Sequence, residues 1–339
     1  APDDGPMFGD LPFPCGPGDT SAYTETDQGV SADTITIGTG DDRGAAASPG
    51  LSIEIGDAVN ALVDMCNEAG GINGRQIELN YYDAALFEVQ NVMLESCEAD
   101  FMLVGQGYAV DSLGEQTRVE CGMPSVPTYT VSPAFANGPD MIQPVPNPGD
   151  FFPVNNQAYV AENFPEAAAA SGVMYANFAA TTDSKNKMLS ATENAGLPFE
   201  WLIELEYNVQ GEDDWTPFVL QLKDAGVQHL YFTGSCLPNY IGFMETARLN
   251  DFDPVVTLDA NFYLDVCAEA NAEGVMDNSY IRMAFYPFEE ADQFPAVQQY
   301  LDLIEASGGK PSTLGMQATS AFLLWATGAQ MCGAELTRD

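Results

Sequence analysis

The chain has 339 residues, 46% of them hydrophobic, and carries 50 acidic against 10 basic side chains, a formal net charge of −40. The apolar content excludes general disorder, and the length favours two domains of about 150 residues each. The negative field excludes nucleic acids and anionic membrane surfaces as natural partners. Because the acids are spread along the whole chain, we interpret them as a solvated surface suited to an ion-rich exterior; a merely soluble acidic protein is the alternative.

The cysteines and the lack of long apolar runs indicate the compartment. No run reaches the roughly 20 apolar residues that span a bilayer, and Ala1 is expected to be a processed or engineered start, with no signal peptide. The seven cysteines form no CxxC pair and are accompanied by a single histidine, His229, which argues against a metal site. Disulfides are therefore expected, with an extracytoplasmic location in the periplasm or at the cell surface, secreted or lipid-anchored.

The first half of the chain alternates strands and helices after a polar start. Residues 1–30 are rich in Pro, Gly, Asp and Thr without periodicity, which predicts a flexible N-terminal arm. The apolar patterns then predict strands at 34–38, 77–82, 101–105 and 124–130, with helices at 55–66, 90–97 and 112–121 between them. This β-α-β-α-β-α-β order is typical of a doubly wound parallel sheet.

A Pro-rich stretch at 143–148 interrupts this pattern, and a second α/β unit of similar plan follows. Its strands are predicted at 172–175, 201–207, 229–233 and 255–258, with helices between them. The last part of the chain, 295–308 and 316–332, is predicted to form two more helices, the second apolar enough to dock on a sheet.

Several segments carry a family resemblance over residues 29–339: ITIGT, AVNALVDMCNEAGGINGRQIEL, FMLVGQG, PSVPTYT and WTPFVLQLKDAGVQHLYFTG. The chain resembles the type I periplasmic binding proteins, specifically the solute-binding proteins of branched-chain-amino-acid-type ABC importers, and its acidic, Cys-containing details look like actinobacterial members. The resemblance implies two doubly wound parallel-sheet lobes joined by a multi-crossover hinge. It also implies a monomer without cofactor or metal that closes around a small solute and docks on a membrane ABC permease.

The resemblance assigns the lobes. The stretch 143–148 and a strand at 281–285 would form the first two crossovers, so that the first lobe holds 31–143 plus 284–339 and the second holds 147–280, with the ligand cleft between the lobes. The GGINGR turn would lie opposite the carboxyl ends of the strands, where ligands of α/β sheets bind. We therefore expect this turn to be a structural joint.

In the first lobe the strand ends fall at 39–43, 106–111 and 128–132. Relatives that bind amino acids hold the α-carboxylate with hydroxyls and backbone N–H groups of the second and third loops, although Ala109 stands near a position where they usually have Ser. The polar candidates are Gln106, Tyr108, Tyr129 and Thr130; the two tyrosines are alternatively packing residues. Arg43 is a candidate anion clamp or a surface arginine.

In the second lobe the strand ends fall at 177–182, 234–238 and 259–262. Relatives use an acidic residue in the last of these to pair the ligand ammonium, and Asp259 matches best; Asn261 is the alternative because the register is open, and a solvated loop acid is the other interpretation. Thr181 is the candidate of the first loop. Arg282 has the same two interpretations as Arg43, and Phe285 and Tyr286 would line the cleft floor.

The predicted topology suggests pairs among the cysteines. Cys97 and Cys121 each end a helix on one face of the first sheet and are the first expected pair, and Cys236 with Cys267 is the second. The pairing of Cys15, Cys66 and Cys332 stays open, since one of the three must be left over. One option is that Cys15 reaches Cys66, which leaves Cys332 to pair beyond the present C-terminus, where a segment is expected to be absent.

Two other function classes were weighed. An α/β enzyme is disfavoured because GxSxG, Walker, GxGxxG and HExxH motifs are absent and His229 opens a buried strand. The pairs Asp41-Asp42 and Asp213-Asp214 lack the spacing of a calcium loop. A ligand-sensing ectodomain of the same fold would need a downstream membrane helix. We therefore predict a non-enzymatic binding protein, and the acidic field favours an amino-acid-like or amide solute that carries an amine.

Overall fold

The computed structural model describes residues 6–46, 48–145, 151–271 and 274–338. The chain divides into two compact units, the first formed by Ala1–Gly149 with Phe285–Asp339 and the second by Asp150–Ala284. Each unit is an α/β structure around its own parallel sheet. The second unit is thus inserted into the first along the chain.

The first unit contains these elements: β1 Met7–Phe8, β2 Leu11–Pro12, β3 Thr34–Asp41, α1 Ile53–Glu68, β4 Gln76–Asp83, α2 Val89–Ala99, β5 Met102–Val104, α3 Ser112–Glu120, β6 Ser125–Val126, α4 Pro133–Ala136, and, after the second unit, α11 Pro295–Ser307 and α12 Thr313–Cys332. Its main sheet has the order β4-β3-β5-β6 with all neighbours parallel. The carboxyl ends of these strands therefore lie at one edge.

The core of the first unit lies between α1, α11, α12 and one face of this sheet. Ile55, Val59 and Leu62 line the inner face of α1 at three- and four-residue spacing, and Phe322 and Trp325 face them from α12. Each such side chain contributes about 1.5–3 kcal/mol on burial. Helices α2 and α3 pack together and bury a smaller cluster around Met93 and Leu103.

The second unit contains these elements: α5 Asn155–Asn163, α6 Pro165–Ala168, β7 Ser171–Ala176, α7 Ala179–Asn194, β8 Trp201–Tyr207, α8 Thr216–Asp224, β9 His229–Thr233, α9 Ile241–Leu249, β10 Val255–Leu258, α10 Asp265–Ala270 and β11 Ser279–Ile281. The sheet order is β11-β10-β9-β7-β8, again parallel throughout. Strand β11 ends at Ile281, so it overlaps the strand predicted at 281–285 only at that residue.

The predicted flexible arm is wrong for its described part, residues 6–30. Phe8, Phe13 and Cys15 are buried in the first-unit core, β1 and β2 form a hairpin, and a disulfide ties Cys15 to Cys66 of α1. Buried apolar side chains and a disulfide hold this segment in place, although its sequence shows no periodicity. The predicted crossover at 143–148 lies partly outside the described residues.

The GGINGR turn connects α1 to β4 and is stabilised by its arginine. Gly71 has φ +79°, and a Cβ there would lie 2.0 Å from the Arg75 carbonyl oxygen, so only glycine fits. The Arg75 side chain is buried, donates to the carbonyls of Ser31 and Gly333 at 2.9 and 2.8 Å, and lies over the Tyr23 ring. These contacts give the turn a structural role.

Three disulfides form: Cys15–Cys66, Cys97–Cys121 and Cys236–Cys267, while Cys332 is a free, exposed thiol. The last two are the pairs that the sequence analysis favours, and the first is the option it leaves open for the arm. Of the three disulfides, only Cys15–Cys66 attaches a segment that has neither a helix nor a long strand to a hydrophobic core.

Removing the Cys15–Cys66 disulfide should destabilise the first unit. The bridge closes a loop with a sequence separation of 51, for which the loss of chain entropy predicts a decrease in unfolding free energy of about 2–4 kcal/mol. Denaturant unfolding of the Cys15→Ser, Cys66→Ser double variant measures it. The matched Cys332→Ser variant should be neutral, and an equal effect of both would contradict the assignment.

Candidate functional site

Three buried side chains at the strand ends of the first unit each have a polar atom without a hydrogen-bond partner in the protein. They are Gln106 and Tyr108, in the loop after β5, and Thr39, near the end of β3; the Gln106 Oε1, the Tyr108 hydroxyl and the Thr39 Oγ1 have no hydrogen-bond partner. Gln106 Nε2 donates to Ser125 Oγ at 2.5 Å. Because an unmade buried hydrogen bond costs about 1–3 kcal/mol, these atoms are suited to receive a polar ligand.

Tyr108 is a hydrogen-bond donor in this setting. Burial, followed by the negative charges of Asp42 and Asp41, raises the pKa of its hydroxyl well above 10. The group therefore stays protonated at physiological pH. Thr39 was not among the predicted site residues, although it lies in the ITIGT segment and is the first residue of the strand end at 39–43.

The other predicted groups of this unit are less available. Tyr129 packs partly buried against the apolar core, the interpretation that the sequence analysis left as its alternative. Thr130 Oγ1 lies 3.3 Å from Gln143 Oε1. The Arg43 guanidinium is 2.7 Å from Asp41 Oδ2 and 3.1 Å from Asp57 Oδ1, and it stacks on the Tyr81 ring. Its charge is thus already balanced by two carboxylates.

In the second unit a charge pair lies where two neighbouring strands end. Asp259 follows β10 and Arg282 follows β11, directly after the register pair Leu258 and Ile281. Arg282 Nη2 is 3.4 Å from Asp259 Oδ1, and the Tyr231 hydroxyl of β9 donates to Asp259 Oδ2 at 2.7 Å. Both charged side chains remain partly accessible, at 13% for Asp259 and 21% for Arg282.

The Asp259–Arg282 pair is weak, and the guanidinium keeps an unused hydrogen-bond donor. The distance of 3.4 Å is long for a charge-assisted hydrogen bond, and the Arg282 Nε is buried without a partner. The arginine is held in place by the ring of Phe152, whose centroid lies 4.9 Å from its Cζ. The sequence does not single out Tyr231, because its position resembles that of any apolar residue in a buried strand.

The side chains of Thr181 and Asn261 donate hydrogen bonds to backbone carbonyls near the strand ends. Thr181 Oγ1 lies 2.7 Å from the Ala176 carbonyl oxygen and 2.9 Å from that of Phe178, and Asn261 Nδ2 donates to the Gly234 carbonyl oxygen at 2.9 Å. Phe285, predicted to line the cleft floor, packs against the first-unit core. Tyr286 is 56% exposed and stacks on Phe294.

The described residues contain neither a cluster of metal ligands nor a membrane-spanning helix. No group of three or more His, Cys, Asp or Glu side chains is placed to hold a metal ion. In the same part of the chain, no helix combines the length and apolar character needed to cross a membrane.

Several solved structures with a similar fold are solute-binding proteins of transporters. The fatty acid ABC transporter substrate-binding protein from Thermomonospora curvata aligns with a TM-score of 0.76 at 17% identity, over 93% of this chain and 81% of its own. The branched-chain amino acid transporter substrate-binding protein LivJ from Streptococcus pneumoniae, solved with isoleucine, gives 0.69 at 16%, over 89% and 88%. An R. palustris solute-binding protein solved with 4-hydroxybenzoate gives 0.68 at 14%, over 89% and 81%.

These similarities establish the type I fold predicted from the sequence. A search of curated proteins finds no match. The family model described as "periplasmic binding protein" matches residues 34–339, nearly the whole chain. The relatives in this fold are substrate-binding transport proteins rather than enzymes, and this chain belongs to the periplasmic binding protein family.

Proposed function

We propose that the protein captures a small amino-acid-like solute that carries an amine, and delivers it to an ABC permease. The observation that carries the proposal is Asp259, a partly accessible carboxylate at a strand end that is only weakly paired with Arg282. A ligand ammonium that approaches Asp259 gains a charged partner in a low-dielectric setting. Family membership implies an extracytoplasmic location.

The first unit would supply the neutral half of such a site. Thr39 and Tyr108 offer two hydroxyls that lack a partner, and such neutral donors suit a carboxylate in a protein whose net charge repels free anions. The unpartnered Gln106 Oε1 is an acceptor and suits an N–H group of the solute. An amino acid has both groups. The LivJ structure solved with isoleucine provides a precedent for this ligand class in the fold.

The two units would act as lobes that close on the solute about the crossovers near 143–148 and 281–285. Hinged closure of rigid bodies is the usual way in which two such domains bind a ligand between them. In this proposal the strand ends of both units face the solute, and the closed form is the one that a permease recognises.

A second ligand class is supported by the buried, unpartnered Nε of Arg282. An aromatic or aliphatic acid without an amine would bind the guanidinium bidentately and displace Asp259 from it. The relatives named for 4-hydroxybenzoate and fatty acid make this the competing candidate.

A thermal-shift screen tests the proposal, because a solute that binds only the folded chain raises its melting temperature. The panel contains branched-chain and other amino acids, amides, polyamines, 4-hydroxybenzoate, short and long fatty acids, and nucleobases. We expect amino acids to give the largest shifts, and their deaminated 2-oxo acids to give none. Shifts from acids alone would support the second ligand class, and shifts from none of the panel would contradict both.

A further inference from the structure

Two buried carboxylates connect the strand-end loops of the first unit to one another. Asp42, in the loop after β3, accepts the Leu86 N–H at 2.9 Å on Oδ1 and the Ala109 N–H at 2.7 Å on Oδ2. It therefore ties three loops together, since Leu86 follows β4 and Ala109 follows β5. Asp42 is fully buried.

Asp111 extends the same arrangement to the fourth strand. It lies at the end of the loop after β5 and accepts the Val131 N–H at 2.6 Å on Oδ2 and the Ser132 N–H at 3.0 Å on Oδ1. Only 1% of Asp111 is exposed. Asp42 and Asp111, which we call the carboxylate brace, thus link the loops that follow all four strands of the sheet.

The backbone held by the brace is unusual. Ala85 and Leu86 have φ angles of +44° and +75°, a left-handed conformation that costs non-glycine residues of order 1 kcal/mol each and persists only when the surroundings enforce it. One of the enforcing contacts is the Leu86 N–H bond to Asp42. The exposed Asp83 adds another by accepting the N–H groups of Gly44 and Ala85 at 3.0 Å each.

The unpartnered polar groups lie next to the brace. Tyr108 directly precedes Ala109, and Gln106 is bonded through its carbonyl to the Thr128 N–H of the neighbouring loop at 2.9 Å. Gly107 in turn donates to the Gly40 carbonyl at 3.0 Å. A change in the brace would therefore move the side chains of Gln106 and Tyr108 relative to Thr39.

We propose that Asp42 and Asp111 are positioning residues, which fix the loops that carry Thr39, Gln106 and Tyr108 in the shape that receives the solute. The inference rests on the proposed function for the identity of the site, and on the hydrogen bonds above for the brace itself. Neither carboxylate contacts the solute in this arrangement.

Their ionisation supports this role. Burial raises the pKa of Asp42 and of Asp111 to about 6. The groups that bear on Asp42 are the carboxylates of Asp41 and Asp83 and the hydroxyls of Tyr108 and Tyr129; Glu115 and Tyr129 bear on Asp111. A protonated carboxyl presents an O–H where an N–H already points, so each brace residue would lose one of its loop contacts below about pH 6.

Amide hydrogen exchange of the ligand-free protein tests the brace. In Asp42→Asn and Asp111→Asn, protection of the Gly107 and Thr128 amides should fall about 10-fold or more at pH 7.5. These two amides bond to carbonyls rather than to the brace, so they report the shape of the loops. The wild-type Leu86, Ala109, Val131 and Ser132 amide shifts should titrate near pH 6, and each Asn variant should lose the response at its own amides. Asp33→Asn, the same charge change at the exposed amino end of β3, is the control.

Binding of L-isoleucine and 4-hydroxybenzoate, measured by calorimetry, completes the test. The brace variants should bind whichever probe the wild type binds at least 10-fold more weakly at pH 7.5, under conditions in which each variant remains fully folded. Unchanged exchange at Gly107 and Thr128 would overturn the proposal, and so would altered exchange with unaltered affinity. If wild-type protein binds neither probe, the proposed ligand classes fail, and the exchange result alone decides the brace.

Discussion

Asp259→Asn should weaken binding of an amino acid by about 2–5 kcal/mol, roughly 30- to several-thousand-fold. The substitution keeps the size of the side chain and its contact with the Tyr231 hydroxyl, but removes the charge that faces the ligand ammonium. It also leaves the Arg282 guanidinium without its carboxylate, so a positive charge would then face the ammonium. Calorimetric titration with the best amino acid from the screen measures the change.

Arg282→Met should have the opposite effect on the same ligand. Methionine retains contact with the Phe152 ring and removes the cation that competes for Asp259, so amino acid binding should be kept or strengthened. For an acid without an amine both effects reverse: Arg282→Met abolishes binding, because the bidentate partner is lost, and Asp259→Asn strengthens it by freeing the guanidinium. The pair of variants therefore distinguishes the two ligand classes by sign.

Arg43→Ala provides the matched control for loss of a cation near a strand end. Its guanidinium is balanced by Asp41 and Asp57, so its removal should change affinity by less than 3-fold for either class. The free energy of unfolding should decrease, because the buried Asp41 carboxylate loses its charged partner. A loss of binding in Arg43→Ala with Asp259→Asn silent would contradict the placement of the charged site in the second unit.

The sequence predicts which end of each sheet binds, but not which side chains are free there. Strand periodicity locates Asp259 at the end of β10, and the resemblance gives it a role. Its partners come from β9 and β11, and their proximity depends on the order β11-β10-β9 and on the register that sets Leu258 beside Ile281. Neither the strand order nor the register can be predicted from the periodicity of one strand, so the sequence does not identify Tyr231 as a partner of Asp259.

Other predicted site residues illustrate a different limit. Thr181, Asn261 and Arg43 are polar residues at strand ends, as expected of ligand contacts, yet each already has partners within the protein. Sequence pattern identifies a side chain that can donate, but whether it is already bonded depends on backbone groups in neighbouring loops. The arm at 6–30 was missed for a related reason: Phe8 and Phe13 have no local periodicity, and their burial depends on the distant helices of the core.

His229 should make the protein sensitive to acid. Its ring is fully buried between two hydroxyls, with Nδ1 2.9 Å from Ser171 Oγ and Nε2 3.0 Å from Thr257 Oγ1, and burial lowers its pKa to about 3. In the unfolded chain the pKa is about 6.5. Between these two values the unfolded state binds a proton that the folded state does not, so the contribution of His229 is present above pH 6.5 and is lost as the pH falls towards 3.

The size of the loss follows from the linkage relation, about 1.4 kcal/mol per pH unit and about 5 kcal/mol in total by pH 3. Asp42 and Asp111 act in the opposite direction, because a carboxyl whose pKa is raised to about 6 stabilises the folded state as the pH falls from 6 towards 4. The whole-protein stability curve therefore mixes the two signs, and only a difference between variants isolates the histidine.

The informative quantity is the unfolding free energy of the wild type minus that of His229→Gln, measured by denaturant unfolding from pH 7.5 to 4. Glutamine can bond the same hydroxyls and does not titrate, so the difference should decrease by about 1.4 kcal/mol for each pH unit below 6.5. Ser171→Ala, which removes one hydroxyl and keeps the imidazole, should lower stability while its difference from the wild type stays nearly constant with pH. A flat difference for His229→Gln would mean that the imidazole reaches solvent or a counter-charge before the chain unfolds. The strand that opens with His229 also carries Tyr231, the partner of Asp259, so such an opening would reach the ligand site as well.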